Sequence, residues 1–100
     1  MRKVYLLAYS DQAGLRDRIK RWADRSELVV TWRTDLPNTF YLVSEADAEE
    51  LCDDLTEHMK KPLRFIITEI AENKQGRLPR ETWYLLRNRS LMPNASRMES

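Results

Sequence analysis

The sequence predicts an α+β fold of two layers, with elements in the order β-α-β-β-α-β and a short helix behind them. Three observations carry this. Val4-Tyr5-Leu6-Leu7-Ala8-Tyr9 is apolar at every position, which is how a central strand with both faces covered reads. Two later stretches place apolar residues at helical spacing. Between them, two runs rich in β-branched and aromatic residues flank Asp35-Leu36-Pro37-Asn38, a turn sequence that joins them as an antiparallel hairpin.

The elements follow in order. After the first strand, Ser10 or Asp11 is placed to cap a helix by accepting backbone N–H bonds. In that helix Leu15, Ile19, Trp22 and Ala23 make one apolar stripe. Asp17 and Arg21 lie one turn apart and can pair. The helix fades near Ser26. Leu28 to Arg33 is the second strand and Thr39 to Val43 the third. Ser44 with Asp47 resembles a capping box. The helix behind it has Ala48, Leu51, Cys52, Leu55 and Met59 as its inward stripe and seven carboxylates towards water, and Pro62 stops it. Leu63 to Ile70 is the fourth strand. Asn73 to Gly76 is a loop, and Pro79 suits the first turn of a short helix, Arg80 to Arg87, with Trp83 and Leu86 inward.

Right-handed crossovers and short connections leave one favoured arrangement for this order, the ferredoxin-like βαββαβ sandwich with both longer helices on one sheet face. Residues 1–89 form one domain, and 90–100, which lack any periodicity, form a flexible tail. The other sheet face is then expected to lie bare. Tyr5 or Val4, Tyr9 or Ala8, and Phe40 or Tyr41 would point that way, an apolar surface fit for a partner. A homodimer packed through that face is the first expectation and nucleic acid across it the second.

Composition narrows the function classes. The chain has 100 residues, 42% apolar and 33% charged, which suits a globular domain burying roughly two-thirds of its unfolded surface. Its longest apolar run is far too short to span a membrane, and no signal peptide is read, so a cytoplasmic location is expected. A single cysteine, Cys52, excludes an internal disulfide, and a single histidine, His58, leaves no imidazole pair for a dyad or a metal. Cys52, on the inward stripe, is expected to be inert. Gly14 and Gly76 are too few for a phosphate-cradling loop.

Charge is uneven along the chain. Residues 1–35 hold eight Lys/Arg against five Asp/Glu, residues 36–60 one against seven, and residues 61–100 eight against four. A net charge of +1 argues against holding duplex DNA by bulk electrostatics, while leaving room for a local strip made of Arg77, Arg80, Arg87 and Arg89. The acidic helix reads as a solvated face and not as a cation site.

Two places bear on chemistry. Asp11, at the end of the first strand, either caps the next helix or holds Mg²⁺ beside a phosphodiester. Val4-Tyr5-Leu6 fits the first-strand signature of the RNA-recognition motif, which makes Tyr5 and Phe40 candidates for base stacking. The third strand, however, lacks that motif's basic residue, glycine and second aromatic.

From Asn38 onward the chain resembles the SinR-like group of small bacterial proteins, relatives of the second CRISPR spacer-acquisition protein and of VapD-type ribonucleases. The matching pieces are Thr39 to Ser44, Ala48 to Glu50, Asp54-Leu55, Leu63 to Ile70 and, most specifically, Gly76-Arg77-Leu78-Pro79-Arg80-Glu81-Thr82-Trp83-Tyr84-Leu85-Leu86. The resemblance implies a ferredoxin-like homodimer linked to nucleic acid or bacterial defence. Nuclease relatives hold a divalent metal with an Asp that follows the strand-one Tyr. Here Ser10 follows Tyr9 and Asp11 comes one residue late, so no catalytic residue carries over. The expected function is a non-catalytic binding module with no cofactor and with a nucleic-acid or protein partner. The alternatives are an Mg²⁺-dependent endonuclease using Asp11 and a single-stranded RNA binder.

Overall fold

A computed structural model of the chain describes residues 1–93. Its elements are β1 (Lys3–Tyr9), α1 (Leu15–Arg25), β2 (Val29–Arg33), β3 (Thr39–Ser44), α2 (Ala48–Met59), β4 (Phe65–Glu69) and α3 (Arg80–Asn88). The four strands form one antiparallel sheet in the order β2-β3-β1-β4. This is the ferredoxin-like arrangement, with the most apolar strands, β1 and β3, in the centre.

The pleat assigns every central residue to a face. Tyr5, Leu7 and Tyr9 of β1 and Phe40 and Leu42 of β3 point one way. There they meet Leu15, Ile19, Trp22 and Ala23 of α1 and Leu51, Leu55 and Met59 of α2. Polar tips tie this layer together. The Asp54 carboxylate accepts from Trp22 Nε1 at 2.9 Å and from Ser26 Oγ at 2.6 Å, and the Tyr5 hydroxyl donates to the Ala46 carbonyl at 2.7 Å.

Helix starts differ from the sequence expectation. Neither Ser10 nor Asp11 caps α1, whose N-cap is Gly14 at φ +77° with no side-chain bond. The left-handed backbone that glycine tolerates starts the helix there. At α2 the box is one turn further on. Asp47 accepts from the Glu50 N–H at 2.8 Å, and the Glu50 carboxylate accepts from the Asp47 N–H at 3.0 Å. Ser44 instead bridges chain segments, donating to the Leu28 carbonyl and accepting from the Ala46 N–H. Cys52 and Ala48 are half-buried and not fully inward.

The expectation of a bare second face is overturned. Val4 of β1 and Tyr41 and Val43 of β3 point that way, and Leu85 and Leu86 of α3 cover them, flanked by Leu6, Ile70, Leu78, Trp83 and Leu91. The chain after β4 is long enough to turn back and lay α3 across the sheet. Leu91 packs on this cluster, so the expected tail at 90–100 begins with chain that is docked. Residues 94–100 lie outside the described part.

α3 covers one end of the second face only. At the other end Ile66 of β4, paired across the ladder with Ala8, is 61% exposed.

Candidate functional site

The two central strands do not form a base-stacking face with Tyr5 and Phe40. Tyr5 is 2% exposed and Phe40 is fully enclosed, both beneath α1 and α2. This corrects their assignment as surface platforms. The motif signature and a hydrophobic core ask for the same residues in β1 and β3, and here the core takes them.

Asp11 lies exposed beyond the end of β1. Nothing at hand completes a metal site around it, since the described residues hold no group of three or more His, Cys, Asp or Glu that could ligate a cation. Its carboxylate acts on Tyr9. Burial pushes the Tyr9 hydroxyl above its usual range; Arg16 opposes that rise and Asp11 adds to it.

The four arginines divide between the two ends of α3. Arg77 precedes the helix and Arg80 opens it, while Arg87 sits in the last turn and Arg89 caps the end at φ +56°. All four are exposed. A nine-residue helix spans roughly 13 Å, so they line one helix and do not gather at one point. Arg80, Trp83 and Arg87, at i, i+3 and i+7, share a helix face. The Arg87 guanidinium stands 5.9 Å from the centre of the half-buried Trp83 ring. Beside them the loop after β4 closes a cleft of about 390 Å³ lined by Glu72, Lys74, Gln75, Gly76, Trp83 and Arg87. A second cleft of about 450 Å³ adjoins it, shares Glu72, Lys74 and Arg87, and reaches Lys3 and Arg89. The sequence predicts Trp83 inward, whereas its ring is half-buried and lines the cleft together with Lys74. The usable signal was the i, i+4 spacing of Trp83 and Arg87.

A polar cluster under α3 had no signal in the sequence. Thr82 Oγ1 donates to Asp35 Oδ2 and accepts from Arg33 Nε at 2.5 Å, although 47 and 49 positions separate them. Arg33 Nε and Asp35 Oδ2 are 3.8 Å apart, with side chains 9% and 11% exposed. Asp35 Oδ1 is buried and finds no hydrogen-bond partner among the described residues. Next to them the Tyr41 hydroxyl is pushed up to about 12, by burial first and the Asp35 carboxylate second, with Arg33 opposing. This cluster pins the start of α3 to the β2–β3 hairpin.

On the opposite side a cleft of about 410 Å³ between α1 and α2 includes Trp22, Ser26, Asp54 and His58. Its polar atoms already serve the packing, since Asp54 binds both Trp22 and Ser26.

No helix among the described residues is long and apolar enough to cross a membrane. Compared with protein-family models, curated proteins and solved structures, the chain matches none of them.

Proposed function

We propose that the chain is a homodimeric, non-catalytic binding module of the SinR-like kind, tied to nucleic-acid or defence biology, in which a second copy adds to strand β4. The observation that carries this is Ile66, a large apolar side chain 61% exposed on an edge strand. β4 reads Phe-Ile-Ile-Thr-Glu, with strong strand formers and neither proline nor bulge to blunt it. Such an edge offers a row of backbone donors and acceptors to another strand. The other edge, β2, is interrupted between Val29 and Thr31, and irregularities of that kind discourage edge pairing. Antiparallel pairing of β4 with its own copy about a twofold axis through Ile66 makes one eight-stranded sheet and sets the two Ile66 side chains against each other.

Light scattering at micromolar concentration tests this. The protein is expected at twice the chain mass and Ile66→Lys at the chain mass, with the fold unchanged by circular dichroism. A wild-type monomer would refute the dimer. Cleavage of labelled RNA or DNA that needs Mg²⁺ and is lost in Asp11→Ala would replace the binding reading with the nuclease one.

A further inference from the structure

We infer that the cleft between α3 and the loop after β4 binds a single-stranded nucleic acid, with Trp83 as the stacking platform for one base and Lys74, Arg80 and Arg87 as the contacts to its phosphates. This deepens the binding reading above by naming a surface and a partner chemistry, and it stands apart from the β4 edge.

Three features carry it. The first is the platform. Trp83 packs against the second apolar cluster yet remains half-exposed, so its ring is held by the core and open to the cleft. A ring fixed in this way loses little freedom when a base stacks on it. The second is Arg87. Its guanidinium stands over the ring, the arrangement in which an arginine can stack on a base or turn to the adjoining phosphate. Arg87 is exposed, so it can yield as a base enters. The third is local charge. Residues 71–93 hold five Lys/Arg against two Glu, whereas residues 45–60, which include α2 on the opposite face of the sheet, hold one against seven. The α3 side is therefore net basic, while the acidic α2 lies away from it beside the basic α1, which holds five Lys/Arg against two Asp. The cleft volume is ample for one base.

A single strand fits better than a duplex. The platform needs an unpaired base face, and the net charge of the whole chain is only +1, too little to grip duplex phosphates over a long stretch. Glu72 at the cleft wall repels phosphate but accepts a hydrogen bond from a base amino group, so the base and not the backbone belongs at that wall.

Fluorescence anisotropy with labelled single-stranded RNA and DNA of about a dozen nucleotides, and with the matching duplex, tests the inference across a salt series. Single strands are expected to bind with an affinity that falls as salt rises. Trp83→Ala is expected to weaken binding about tenfold. Arg87→Glu and Lys74→Glu should weaken it for all sequences and flatten the salt dependence, and Arg25→Glu, at the end of α1, should leave it unchanged. Since Trp83 also touches the core, Trp83→Phe and the two surface charge reversals supply the reading if Trp83→Ala unfolds; Trp83→Phe should keep most of the affinity. Equal affinity for duplex, or binding indifferent to Arg87→Glu and to Trp83→Phe and Trp83→Ala alike, overturns the inference, as does no salt-dependent binding at all. Light scattering on the same samples separates the two proposals. A dimer that ignores oligonucleotides refutes this site alone, and a monomer that binds them refutes the dimer alone.

Discussion

The two faces of the sheet are covered by different means. On the first face α1 and α2 meet the strands through an apolar layer in which Trp22, Tyr5, Phe40, Leu51 and Leu55 are almost wholly enclosed. On the second, α3 brings a smaller apolar set and adds a buried polar cluster, Arg33, Asp35 and Thr82. The first face is held by burial, which is strong but indifferent to detail. The second depends on directional contacts that fix where the helix sits. One face supplies stability, and the other positions Trp83 and the arginines of α3.

The largest break in this comparison is expected on the first face. Leu51→Ala removes a fully enclosed side chain between α2 and the sheet, at a cost of about 2–5 kcal/mol, read as a lower urea midpoint. A loss below about 1 kcal/mol would mean that this layer is looser than its burial indicates. Next in size is alkaline destabilisation from the second face. The Tyr41 hydroxyl titrates at about 12 in the folded chain against an ordinary 10.0, so the folded state binds the proton more tightly than the unfolded chain does. The stability from that group is fully present below pH 10 and is lost as pH rises through about 12, to an extent of about 2–3 kcal/mol. Tyr5 and Tyr9, also raised, act in the same direction. Denaturation at pH 9 and pH 11.5 should therefore show a loss that Tyr41→Phe reduces; an unchanged loss in that variant would exclude Tyr41 as its source. The smallest expected effect is that of Thr82→Val, which keeps the shape but removes the hydroxyl between Arg33 and Asp35, costing about 1–3 kcal/mol. Its useful readout is local. Amide exchange should quicken in α3 while α2 stays protected, and equal change in both helices would show that the two faces are not separable.

The order and kind of elements were legible because each rests on local spacing. The unbroken apolar run of β1, the stripe of α1 and Pro62 after α2 are written within a few residues. The ends of elements were less so. Gly14 begins α1 through a backbone conformation that Ser10 and Asp11, the better capping residues, do not provide, and the α2 box uses Asp47 and Glu50 in place of Ser44 and Asp47. The candidate site was legible only in part. Arg77, Arg80, Arg87 and Arg89 stand out as charge, but Tyr5 and Phe40 look the same in sequence whether a strand faces a core or a ligand.

Local patterning thus determined the strands, the helices and their α+β order, since periodicity acts over one or two turns. Tertiary structure alone decided which sheet face α3 covers, that Ile66 stays exposed, and that Arg33, Asp35 and Thr82 meet. Those outcomes depend on how segments nearly fifty residues apart come together in space. Burial and directional hydrogen bonding select that geometry only once the whole chain has folded.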